Sequence, residues 1–216
     1  LNMAALMSLQ HRFNEALDHL IACMKPFSEF AQQLSANTRP TCEDVVGRLE
    51  LVFPKTLSAK EWLPVLNSFC ALLNQMNLPA LAIRVGQRVI DIEPGYLPVY
   101  SNLAGAFNNA FEHHQAINVI IKRLKKNIEF SQAWLETETV DLDVRLVELL
   151  TSADSNWKLS PEERSELLAK LGTGLLQLGR IDLTLQCYRF LIELDPSNMV
   201  AVSTLLMALN YVENGE

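Results

Sequence analysis

Residues 63–96 read LPVLNSFCALLNQMNLPALAIRVGQRVIDIEPGY, and residues 97–130 read LPVYSNLAGAFNNAFEHHQAINVIIKRLKKNIEF. The second stretch opens as the first does, with Leu97-Pro98-Val99 falling 34 positions after Leu63-Pro64-Val65. Leu73 is matched by Phe107 and Ala82 by Ala116 at the same interval. Apolar residues recur at helical spacing in each copy: Leu66, Phe69, Leu73 and Met76 in the first, Tyr100, Leu103 and Phe107 in the second. After a turn they resume, through Ala82, Val85 and Val89 and through Ala116, Ile120 and Leu124. Asn77-Leu78-Pro79 supplies the first turn, with proline at the start of the return helix. A fixed period of this length is the mark of stacked helix–turn–helix units, none of which buries its apolar face alone.

Toward the C-terminus the pattern fades and then returns. Trp134 takes the fourth position of a third frame, but Glu138 stands where a small residue is expected. Spacing predicts a helix over about 139–151, carrying Val140, Val144 and Val147, and then a loop through Asp154-Ser155-Asn156. The acidic residues here (Glu136, Glu138, Asp141, Asp143, Glu148) read as a solvated face rather than a cation site. Ser160-Pro161-Glu162-Glu163 is a helix start, with a capping serine, an early proline and first-turn carboxylates. Leu168, Leu171, Gly172, Leu175, Tyr188, Leu191 and Pro196 restore the repeat, with Pro196 lying 102 positions after Pro94, or three periods. A further frame begins at Met199.

The opening third is helical but off the pattern. Leu6, Leu9, Phe13, Leu17, Leu20 and Met24 keep helical spacing up to Pro26, and Phe27, Phe30 and Leu34 follow it. Thr41 is placed to cap a short helix carrying Val45, Val46, Leu49 and Val52, stopped at Pro54. Ser58 and Glu61 have the form of a capping box at the head of the first repeat. The expected organisation is therefore an off-pattern helical segment over 1–57, two tandem repeats over 58–130, a degenerate repeat or helical linker over 131–160, and a repeat plus the first helix of another over 161–216.

Composition narrows the class of function. A net charge of −7 argues against a nucleic-acid partner, because phosphate binding needs a positive face. The basic run Lys122-Arg123-Lys125-Lys126 falls at an expected helix C-terminus, where the helix dipole favours cations. The four cysteines (Cys23, Cys42, Cys70, Cys187) are widely separated and read as small buried hydrophobes of a reducing compartment. No charged-then-apolar leader opens the chain, and no uncharged apolar run reaches the about 18 residues a membrane span needs. The cytoplasm is the expected location, and Leu1 in place of Met suggests an excised segment. No nucleophile elbow, Walker loop, HExxH or GxGxxG occurs. Neighbours on a helix point about 100° apart, so His113 and His114 do not chelate one ion. The expectation is no catalysis, no cofactor and no metal.

The spacing resembles the tetratricopeptide repeat. Residues 165–198 match its signature through Leu168, Leu171, Gly172, Leu175, Tyr188, Leu191 and Pro196, with Thr184 where alanine is usual. Residues 63–96 offer Leu66, Phe69, Cys70, Leu73, Ala82, Ile90 and Pro94; residues 97–130 offer Tyr100, Leu103, Ala104, Phe107 and Ala116, with Ile128 in place of the closing proline. Small residues at the eighth and twentieth positions let the two helices of a unit approach closely. The resemblance implies an all-α, right-handed superhelical solenoid whose first helices line a concave wall. On that wall it places Asn67, Ser68, Ala71, Asn74 and Gln75 from one unit and Ser101, Asn102, Gly105, Asn108 and Asn109 from the next.

A carboxamide both donates and accepts, so such a wall pairs with a peptide backbone without reading its sequence. The candidate partner-binding residues are accordingly Asn67, Asn74, Gln75, Ser101, Asn102, Asn108 and Asn109. The lysine and arginine set of the carboxylate-clamp class is missing, so no preference for acidic C-terminal tails is expected. Asn102 resembles a rung of the asparagine ladder in O-linked N-acetylglucosamine transferase repeats, although Ser68, Lys170 and Thr204 hold the matching places elsewhere. Residues 199–212 carry no charge, and Val202, Leu205, Leu206 and Leu209 are the expected interface for a downstream domain, a second copy or a partner. The leading expectation is a non-catalytic scaffold that binds protein or peptide. The rivals are the substrate-recruiting N-terminal region of a larger enzyme, such as a bacterial O-linked glycosyltransferase, which the stop inside a repeat favours, and a self-assembly scaffold in a secretion or pilus system.

Overall fold

The structure, a computed structural model, describes residues 12, 15–16, 18–19, 41–52, 59–125, 142–151 and 159–213. Nine helices occur among them: α1 (Cys42–Val52), α2 (Ala59–Gln75), α3 (Pro79–Ile92), α4 (Pro98–Asn109), α5 (His113–Lys125), α6 (Leu142–Thr151), α7 (Pro161–Gln177), α8 (Ile181–Leu194) and α9 (Met199–Glu213). The described residues contain no strand, so the chain is all-α over them. Most of the helix expected over 4–24, the stretch through Leu34, the stops at Pro26 and Pro54, the Ser58 cap and the loop after Thr151 lie outside the described residues. The chain divides into two compact units, Leu1–Ala110 and Phe111–Glu216.

In the first unit, Thr41 caps α1 as its sequence position suggests. The Thr41 hydroxyl accepts from the Asp44 backbone N–H at 3.2 Å, and the Asp44 carboxylate accepts from the Thr41 N–H at 2.9 Å, so two otherwise orphaned donors are satisfied. α1 packs on α3, and an exposed Arg84–Glu43 pair spans the two helices at 2.6 Å. α2 doubles back into α3 through a turn that ends at Pro79, on the first turn of the new helix. Small residues stand where α2 and α3 cross: the Cys70 thiol reaches the Ala82 carbonyl at 3.3 Å. At Gly86 a methyl group would meet Leu103 Cδ1 at 3.0 Å, which lets α4 lie close against α3. Leu66, Phe69, Leu73, Tyr100 and Leu103 are almost wholly buried between these helices, each apolar side chain contributing roughly 1.5–3 kcal/mol.

The second unit repeats the crossing. Thr184 Oγ1 lies 3.5 Å from the Gly172 carbonyl, twelve residues away as Ala82 is from Cys70. A methyl at Gly172 would sit 2.9 Å from Tyr188 Cε2 and 3.2 Å from Cys187 Cβ, so only glycine fits. Ser160 caps α7 in a full capping box with Glu163. α7 also packs against α5, whose last turn holds Lys122 and Arg123 at the helix C-terminus expected for the basic run. Lys122 is exposed, but Arg123 is 1% exposed and donates to Glu163 at 2.5 Å. A charge this deep needs a partner, so Arg123 is both a helix-end cation and a buried tie between the two helices. α6 is fastened by Arg164 to the Leu150 carbonyl and by Arg180 to Asp143 at 3.1 Å.

The turns carry the period in their backbone. The non-glycine residues with positive φ among the described residues are Asn77 (56°) and Phe111 (62°), and Gly179 joins them at 74°. They lie 34 and 68 positions apart, each just past the first helix of its frame, where a left-handed residue closes a helix end. Leu78 N–H to the Leu73 carbonyl and Arg180 N–H to the Leu175 carbonyl, both at 2.9 Å, complete the same closure 102 residues apart. The exits match too. Glu93 accepts from the Gly95 N–H and Asp195 from the Ser197 N–H, at 3.2 and 3.0 Å.

Candidate partner-binding surface

Two surfaces collect the sequence-marked residues. The first joins α2 and α4 in the first unit. Asn102 Nδ2 on α4 donates to Asn67 Oδ1 on α2 at 2.9 Å, and Asn74 Nδ2 on α2 donates to the Asn102 backbone carbonyl at 2.8 Å. These bonds fix which end of each amide points where. Among the described residues they leave Asn67 Nδ2 as a donor and Asn102 Oδ1 as an acceptor with no hydrogen-bond partner, on two half-buried side chains of neighbouring helices. Asn74 Oδ1 is buried and has no hydrogen-bond partner.

The remaining marked residues divide by exposure. Gln75 and Asn109, equivalent by the 34-residue spacing, are both exposed. Ser101 and Asn108 are 8% exposed, so burial takes them off the open face where they were expected. Gly105 is also buried, and the Ser68 hydroxyl is spent on the Pro64 carbonyl of its own helix at 2.9 Å. The open amide set thus contracts to Asn67, Gln75, Asn102 and Asn109. Period alone cannot separate an open position from a covered one, because coverage depends on what else packs there.

The second surface is α9, and the expected residues need correction. Leu205 and Leu209 pack inward with Ile181 against Leu176, Leu185 and Ala208, and Val202 is half-buried. Leu206 alone of the expected four is exposed, joined by Met199, Val200, Met207 and Tyr211. These residues share the exposed side of α9 with Ser203 and Asn210. The sequence did not single out this side, because apolar residues line both faces of α9.

Other chemistry in the described residues is muted. Burial pushes the Cys70 and Cys187 thiols up to about 12, so they stay protonated and inert at neutral pH. His113 is lowered by burial and by neighbouring His114 and stands edge-on to Phe111, with ring centres 6.2 Å apart. No three His, Cys, Asp or Glu side chains among the described residues gather to hold a metal ion. None of the described helices is long and apolar enough to cross a membrane. No family model and no curated protein matches the chain.

Proposed function

We propose that this chain is a tetratricopeptide-type solenoid that works as a non-catalytic interaction scaffold, capturing an extended peptide or protein segment along the face formed by α2 and α4. The Asn67–Asn102 bond carries the reading. It leaves one amide donor on α2 and one amide acceptor on α4, and a peptide unit offers the complementary acceptor and donor. Gln75 and Asn109 extend the same neutral, hydrogen-bonding face. Recognition of this kind reads backbone rather than sequence, which suits a scaffold with several clients. The protonated buried thiols fit a reducing compartment, and the cytoplasm is the proposed location. Asn102, bonded to the preceding first helix, also fits the rival reading of a substrate-recruiting region attached to an enzyme.

The test is capture of a randomised pool of unstructured peptides. Asn102→Ala together with Asn109→Ala is expected to weaken capture about tenfold or more, the loss of one or two hydrogen bonds. Melting should fall only slightly, since Asn109 is exposed and the half-buried Asn102 amide bonds across the helices to Asn67 alone. Unchanged capture in this variant would remove the amide face as the site.

A further inference from the structure

Five buried or half-buried arginines occur among the described residues, and four of them have partners. Arg84 pairs with Glu43, Arg123 with Glu163 and Arg180 with Asp143, while Arg164 donates to the Leu150 carbonyl and stacks on the Phe190 ring at 4.5 Å. Arg88 on α3 is the exception. It makes no hydrogen bond or ion pair among the described residues, and its Nε is shut off from water. A cationic donor in that position is costly unless an acceptor reaches it.

The register of α1 on α3 shows where an acceptor fits. Cys42 meets Met76 just ahead of α3, and Glu43 pairs with Arg84. α1 packs along α3 from that point, so the two helices run in the same direction. One further turn of each brings Gly47 level with Arg88. Gly47 is half-buried, yet a methyl added there would meet nothing within 4 Å. An open space therefore lies at the level of the unmet guanidinium. The described carboxylates of these two helices do not fill it: Glu43 is held by Arg84, Asp44 accepts from the Thr41 N–H, and Asp91 makes no ion pair.

We propose that the space between Gly47 and Arg88 is a binding site for one carboxylate, either free or carried on an aspartate or glutamate of a partner. A carboxylate takes two parallel bonds from the guanidinium fork, and a side-on approach uses Nε, the donor in need. One guanidinium balances one negative charge. On a chain of net charge −7 a monovalent carboxylate is therefore favoured over a dianionic phosphate. The site draws on α1 and α3 and on none of the amides of α2 and α4, so the inference stands apart from the proposed backbone capture.

The test is a titration of the 216-residue chain with sodium acetate against sodium chloride at constant ionic strength, read by NMR at the Arg88 Nε–H and the Gly47 amide. Both resonances should shift and saturate, while the Nε–H of exposed Arg189 should not. Arg88→Gln should abolish the shift at Gly47. Arg88→Lys, which keeps the charge without the fork, should weaken acetate about threefold or more. Gly47→Leu fills the space and should weaken acetate about tenfold or more, with helicity by circular dichroism unchanged. A capped Ala-Glu-Ala peptide that binds more tightly than acetate assigns the carboxylate to a partner's side chain; weaker binding assigns it to a free acid. The inference is overturned by shifts that do not saturate, by inorganic phosphate binding more tightly than acetate, or by Arg88→Gln or a folded Gly47→Leu chain that responds to acetate as the wild type does.

Discussion

Phe111 adopts at φ 62° the left-handed conformation that Asn77 adopts at φ 56°, 34 residues earlier. Asparagine tolerates that region and a bulky aromatic does not, at a cost of roughly 1–2 kcal/mol. The Phe111 ring is 82% exposed, so little packing offsets the strain. Phe111→Gly, which copies Gly179 in the equivalent turn, should therefore stabilise the protein by about 1 kcal/mol and raise the melting temperature by a few degrees. A lower melting temperature would mean that the ring makes a contact worth more than its strain.

Gly172 and Gly47 should respond to alanine in opposite directions. At Gly172 the new methyl would press on Tyr188 at 2.9 Å, an overpacking that costs about 1–3 kcal/mol and outweighs the gain in helix propensity. At Gly47 in α1 the methyl meets nothing within 4 Å, so propensity alone acts and Gly47→Ala should stabilise by about 0.5–1 kcal/mol. Denaturant melts of the two variants side by side would decide it. The same sign in both would contradict the close crossing of α7 and α8.

Glu163→Gln isolates the tie to Arg123. Glutamine still serves the capping box with Ser160, so helix capping is kept while the charge opposite Arg123 is lost. Glu163 is about one-third exposed, which tempers the penalty of a fully buried pair, and a loss of about 2 kcal/mol is expected. A loss no larger than for a surface change would show that Arg123 does not depend on this carboxylate.

The buried thiols predict a weakness at alkaline pH. Folding raises Cys70 and Cys187 from 9.0 to about 12, so the native state holds these protons more tightly than the unfolded chain does. Their contribution to stability is complete below pH 9 and is lost as pH climbs from 9 toward 12. Thermal melts across that range should fall, and Cys70→Ala should flatten part of the decline. Alanine occupies the equivalent place at Ala104, so the fold should accept it.

Legibility in the sequence followed the range of the interactions. The capped starts at Thr41 and Ser160 and the proline at Pro79 depend on residues within three or four positions, and each is where local chemistry put it. The small residues Cys70, Ala82 and Gly172 announced close crossings for a steric reason that survives in any context. Arg123 stands at the helix end where the sequence put it, but its tie to Glu163 was not legible, because that partner lies 40 positions away and nothing local distinguishes a buried guanidinium from an exposed one. Leu205 and Leu209 could not be told from Leu206 because large apolar residues outnumber Ser203 and Asn210 on the side of α9 that lies open. Phe111 gave no signal of its turn conformation, since an aromatic residue is no usual mark of one.

The central claim, backbone capture by the amides of α2 and α4, is met most directly by titrating one captured peptide in three forms: unmodified, with side chains cut back to alanine, and with the contacting backbone N–H groups methylated. The alanine form should bind nearly as well as the parent, and N-methylation should abolish binding. Binding that survives N-methylation, or that vanishes with the side chains, would contradict it.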